Sequence, residues 1–160
     1  MVPADTLRGR GIFAAVPDGR LDRFAALGEP IDLLKGEFLF RLGDRARWLY
    51  LIDSGKLDLS IPLKMLGEFN ELTIQTSVAG DTVAWSALVK PHLLTMSARA
   101  VEDCQLIRFE GEALGVQVRE DSGVGLAVMD RLAELIGRRL QQVQAMWIRE
   151  IQRSIDRRLV

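Results

Sequence analysis

The stretch Leu49-Tyr50-Leu51-Ile52-Asp53-Ser54-Gly55-Lys56-Leu57-Asp58-Leu59-Ser60-Ile61 reads as two strands joined at a glycine. Leu57, Leu59 and Ile61 alternate with Asp58 and Ser60, the period of a strand with one wet face. Trp48–Ile52 is an apolar run, and Gly55 falls between the two, where a tight turn needs a residue tolerant of positive φ. On either side, Ile31–Leu34, Phe38–Phe40, Leu72–Val78, Met96–Val101 and Cys104–Phe109 are further short apolar or alternating runs, with Gly36, Gly43 and Gly80 between them. Many short strands punctuated by glycine predict a rolled antiparallel β-structure rather than a parallel sheet. Residues 62–71 read as the tip of a longer hairpin.

The flanks have a different period. Residues 5–28 read as short helices: Ile12, Phe13 and Val16 precede the turn Pro17-Asp18-Gly19, and Leu21, Phe24, Ala25 and Leu27 then repeat at helical spacing. After Phe109, Ala113–Arg119 predicts one short helix, and Glu120-Asp121 a capping turn. Ser122 is placed to cap a second helix running from about Gly123 to the end. Met129, Leu132, Ile136, Leu140, Val143, Trp147, Ile151, Ile155 and Leu159 mark one apolar stripe at three- and four-residue steps. Such a helix, roughly 35 residues and about 50 Å long, outreaches a domain of this size. The expected class is α+β, mainly β: a jelly-roll-like antiparallel β-roll (residues 31–109) between an N-terminal helical segment (1–30) and C-terminal helices (110–160).

Composition narrows the function classes. The 160 residues carry 21 basic and 22 acidic side chains, a formal charge of −1, so a global basic field for nucleic acid is missing. The single Cys104 excludes a disulfide framework, and with no signal-like start it predicts a reducing cytoplasm. No stretch of about 18 uncharged apolar residues is present, so no spanning helix and no membrane partner are expected. Neither a nucleophile motif, a phosphate-cradling Walker loop nor a metal-ligand spacing occurs. No catalytic residue, no metal ligand and no enzyme activity are expected.

Phe38-Leu39-Phe40-Arg41-Leu42-Gly43-Asp44-Arg45-Ala46, followed by Leu49–Leu57 with its Ser54-Gly55 turn, resembles the paired glycine turns of the cyclic-nucleotide-binding domain, the β-roll of Crp/Fnr regulators and cAMP-dependent kinase regulatory subunits. Ala98-Arg99-Ala100, Asp103-Cys104 and Leu106-Ile107 are similar to the strands leaving its phosphate cassette. Arg138-Arg139-Leu140 is similar to the end of the Crp-type C-helix. The resemblance covers nearly the whole chain and implies a regulatory sensor domain. The winged helix-turn-helix that follows the C-helix in Crp-like transcription factors is absent from these 160 residues, so DNA is not an expected partner.

The resemblance also implies where a ligand would sit: Val83, Ala84, Trp85, Ser86, Ala87, Leu94, Thr95 and Met96. There the chain departs from the family, whose cassette begins Gly-Glu and later supplies an arginine. Ala84 replaces the glycine, Trp85 the glutamate that accepts from the ribose hydroxyl, and Leu94 the arginine that pairs with the cyclic phosphate. Leucine has no guanidinium fork, and an indole offers one donor and no carboxylate. Two charged hydrogen bonds, each worth roughly 1.5–3 kcal/mol, are lost, about two decades or more of affinity. A cyclic nucleotide is therefore possible but not favoured, and no cofactor is expected. Arg99 and His92 are the neighbouring basic residues that could substitute.

Trp85 has two readings, a filler of the emptied pocket and a stacking platform, of which the filler is favoured. His92 reads as a loop residue, Cys104 as a buried inert thiol. The expectation is thus a stand-alone regulatory domain with a degenerate cassette. It dimerises through Leu132, Ile136, Leu140, Val143, Trp147, Ile151 and Ile155 and acts on a protein partner that the sequence does not identify. A genuine sensor of cAMP, cGMP or a cyclic dinucleotide through non-standard contacts is the alternative. A DNA-associated regulator using the basic C-terminal helix is the weaker one.

Overall fold

A computed structural model describes residues 2–65 and 67–158. Its strands are β1 (Glu29–Leu33), β2 (Phe38–Phe40), β3 (Trp48–Ser54), β4 (Lys56–Met65), β5 (Glu68–Val78), β6 (Thr82–Val83), β7 (Ser97–Ala100) and β8 (Cys104–Glu110). They form two four-stranded antiparallel sheets, ordered β1-β8-β3-β6 and β2-β7-β4-β5. Helices α1 (Leu21–Ala25), α2 (Gly111–Glu120) and α3 (Ser122–Arg158) and several single 3-10 turns complete the fold. This is the mainly-β roll with flanking helices that the strand pattern predicts.

The two sheets differ in what covers them. Between them, Leu33, Ile52, Leu57, Leu59, Ala98, Cys104 and Leu106 form one apolar cluster. On the other face of the first sheet, Leu49, Leu51, Ile107 and Phe109 meet Leu7, Ile12, Phe13 and Phe24 from the N-terminal segment and Leu114, Val128 and Leu132 from the C-terminal helices. The first sheet is covered on both faces. Trp48–Ile52 of β3 therefore reads as an unbroken apolar run, whereas β4, with one wet face, alternates. The N-terminal segment and the C-terminal helices, separate in sequence, share this second core.

Gly55 turns β3 into β4 at φ +90°, and a Cβ there would lie 2.6 Å from Cys104 Sγ and 2.7 Å from Asp103 O. Only glycine satisfies both conditions. Residues 62–65 and 68–71, expected at a hairpin tip, are strand: β4 and β5 stay paired out to Met65 and Glu68, and Leu66 lies outside the described residues. This outer part of the hairpin has left the core, with Leu63 and Phe69 exposed, so no buried face disciplines its sequence into alternation.

Asp121, not Ser122, caps α3. Its backbone is extended and its Oδ1 accepts from the Gly123 and Val124 N–H groups, each at 3.2 Å. The helix runs 37 residues, and no helix among the described residues is long and apolar enough to cross a membrane. Its predicted stripe divides. Leu132 is buried in the core at 1 % exposure, Ile136 packs beside it and Val143 against the inter-sheet cluster. Leu132 is thus a core residue, not part of a dimer surface as its place in the stripe suggested. Met129, Leu140, Trp147, Ile151 and Ile155 are exposed, and Leu159 lies outside the described residues.

Candidate functional site

After β6 the chain makes a sharp turn at Ala84, φ 63°, ψ 39°, into a single 3-10 turn, Trp85–Ala87. Left-handed backbone disfavours any residue with a Cβ, which explains why glycine suits this position and marks Ala84 as strained. The chain then returns through His92, also at φ 61°, whose Nδ1 lies 3.0 Å from Ser86 O. The Leu94 N–H donates to Asp44 O at 2.9 Å, and the Gly43 N–H to Leu94 O at 2.8 Å. The glycine turn before β3 and the cassette are thereby locked together, and Leu94 and Met96 enter β7 pointing inward, 7 % and 8 % exposed.

These segments enclose a cavity of about 20 Å³. Val83, Ala84, Trp85, Ser86, Leu94, Thr95 and Met96 line it together with Phe40, Leu59 and Arg139. Ala87 does not. It is buried behind the turn against the start of α2, where a Cβ on Gly111 would lie 2.5 Å from its carbonyl oxygen. A site for a drug-sized ligand needs roughly 300–1,000 Å³, whereas about 10–15 Å³ admits one water. The cassette is closed. Trp85 is half-buried, with its apolar surface on the core under the helices as well as along the cavity.

Neither basic residue proposed as a substitute lines this cavity. Arg99 points out of β7 between the inward Ala98 and Ala100, stacks over the Phe38 ring and donates from Nε to Gly36 O at 2.8 Å. His92 is held in the loop by Ser86 O. The cation that does reach it is Arg139, from α3, with Nη1 3.5 Å from Met96 Sδ. Burial pushes its guanidinium pKa down, and the nearby Asp81 carboxylate opposes this. The guanidinium remains a cation at neutral pH. Sequence reasoning placed Arg139 only in a helix-end motif, yet a signal existed. Leu132, Ile136, Arg139 and Val143 follow one another at steps of four, three and four, which puts the arginine on the buried face.

A family model, the cyclic nucleotide-binding domain, matches residues 30–121, more than half of the chain. Among solved structures, a Geobacter metallireducens GS-15 protein described as cyclic nucleotide-binding superposes with a TM-score of 0.72 at 24 % identity, over 88 % of this chain and 99 % of that one. The sensor domain of the transcriptional regulator DNR from Pseudomonas aeruginosa gives 0.68 at 22 % identity, over 86 % and 90 %. The Thermus thermophilus catabolite activator protein gives 0.69 at 26 % identity, over 85 % of this chain and 61 % of that one. A sequence search of curated proteins returned no match.

Proposed function

Because the chain belongs to the cyclic nucleotide-binding domain family, we propose that it is a regulatory module that works as a homodimer through α3, with a cassette turned away from the family's nucleotides. The exposed row on α3 carries this reading: Leu140, Trp147, Ile151 and Ile155 are 57, 72, 57 and 47 % exposed. Fully burying one such side chain gains roughly 1.5–3 kcal/mol, so a row of them in water is costly unless a partner covers it. A second copy is the simplest partner, since the same row on both helices gives an isologous contact. Parallel pairing is favoured because it covers Met129 and Ile155 at once. An antiparallel pair that avoids a clash of the two rolls covers only the distal turns.

The cassette supports the regulatory rather than the nucleotide-sensing part of this reading. Trp85 and Leu94 stand where a ribose acceptor and a phosphate donor would be needed, and the closed cavity has no room for a nucleotide. The module acts on a protein partner, in a reducing compartment suited to its lone thiol. Sedimentation equilibrium tests the dimer: a two-copy mass at micromolar concentration is expected, and a monomer there contradicts the reading. Calorimetry with cAMP, cGMP and a cyclic dinucleotide tests the cassette, with no heat expected. Saturable heat from any of them would favour the nucleotide sensor instead.

A further inference from the structure

Along the distal part of α3 the arginines are placed as regularly as the apolar residues. Arg149, Arg153 and Arg157 follow one another at steps of four, about 6 Å apart along the axis, and all three are exposed. They lie about 200° further round the helix than Trp147, Ile151 and Ile155, and so on the opposite face. From Trp147 to Arg158 four arginines stand against two carboxylates, whereas the whole chain carries a formal charge of −1. Those two carboxylates do little to balance the row. Glu150 lies 3.5 Å from Arg153 with both side chains about two-thirds exposed, a pair that water screens, and Asp156 accepts from Gln152 at 2.9 Å. Among the described residues no carboxylate lies within 4.0 Å of Arg149 or Arg157. Like charges four apart disfavour the helix that carries them. The helix dipole offsets this for Arg157 in the last turn, but Arg149 and Arg153 lie further in, beyond its reach.

We infer that this arginine face is a docking surface for an acidic protein segment, a helix with carboxylates at four-residue steps. That spacing matches the arginines along the axis, and each planar guanidinium fork suits a carboxylate. This deepens the proposed regulatory reading, rests on its dimer and names the chemistry of its protein partner. With the apolar row covered by a second copy, the two arginine faces point outward on opposite sides of the pair. They cannot grip one duplex together, and three cations on one face are few for nucleic acid, where the number of phosphates neutralised sets the affinity. Each face instead takes one acidic segment, so a dimer brings two copies of the partner together.

The test is fluorescence anisotropy of a labelled helical peptide with glutamate at every fourth position of one face, titrated with the full chain. The same peptide with glutamine at those positions and a short DNA duplex are the comparisons. Saturable binding of one glutamate peptide per protomer is expected, weaker at about 200 mM salt than at about 50 mM, with no binding of the glutamine peptide and weaker binding of the duplex. The triple variant Arg149→Gln, Arg153→Gln and Arg157→Gln should weaken peptide binding by about tenfold or more. Arg23→Gln, Lys64→Gln and Lys90→Gln together remove the same charge from exposed positions elsewhere and should leave binding within about twofold. No saturable binding up to about 0.5 mM protein, equal losses in the two triple variants, or a duplex that binds more tightly than the peptide overturns the inference. Sedimentation separates the two proposals: a dimer that ignores the peptide removes only this one, and a monomer that binds it removes only the dimer.

Discussion

The two halves of α3 share one helical pattern and meet opposite surroundings. In the half nearer Asp121, Val128, Leu132, Ile136, Arg139 and Val143 lie against the roll, so that this part of the helix is a wall of the domain. In the distal half, Trp147, Ile148, Ile151 and Ile155 are exposed, with Arg149, Arg153 and Arg157 on the other side. The contrast teaches that periodicity reports amphipathicity without saying what covers the apolar face. One stripe in the sequence is two surfaces in the fold, one satisfied by the chain itself and one not.

Substitutions should separate the halves by size and kind of effect. Leu132→Ala in the near half should cost the most, roughly 2–5 kcal/mol, read as a lower urea midpoint that keeps the concentration dependence of the parent. Asp121→Ala, which removes the cap at the start of that half, should cost about 1 kcal/mol, with Asp121→Asn retaining most of the stability. In the distal half, Trp147→Ser should change the stability of the isolated monomer by less than about 0.5 kcal/mol, yet weaken association, so that its melting temperature loses the concentration dependence of the parent. A large loss of monomer stability from Trp147→Ser would erase the distinction between the halves.

The smallest effect concerns pH and belongs to the roll alone. Burial raises the Cys104 thiol above 9.0, with a backbone hydrogen bond with Lys56 opposing and Glu102 and Asp103 adding to the rise. Burial likewise raises the Tyr50 phenol above 10.0, against the pull of Arg108. Each folded group keeps a proton that the unfolded chain has already lost. The stability it contributes is full below the unfolded value and falls as pH rises toward the folded one. Urea midpoints should therefore drop as pH rises above about 9, and further above about 10, while the helicity of the distal half is unchanged.

How much of this was legible in sequence follows from burial. β3 and β8, covered on both faces, and β4, with one wet face, announce themselves by apolar content or alternation, and the paired turns at Gly43 and Gly55 carry the family resemblance. β6 has two residues and no period to read, and the outer part of β4 and β5 has no buried face to impose one. At the site, the cassette residues could be counted because they are local. Phe40, Leu59 and Arg139 come from other elements, and only the folded chain brings them to the same cavity. Arg139 is the instructive one, since charge suggested solvent while its spacing from Leu132 and Val143 pointed inward.

The central claim is that the distal half of α3 is covered by the same half of a second copy. Ile151→Cys tests it directly, because Cys104 is buried at 2 % exposure and does not compete. In a parallel pair the introduced thiols face each other within disulfide reach, whereas Arg153→Cys lies about 200° further round the helix. Mild oxidation should give a covalent dimer of Ile151→Cys and leave Arg153→Cys monomeric on a non-reducing gel. No cross-link at Ile151→Cys, or equal cross-linking of both, would contradict the account.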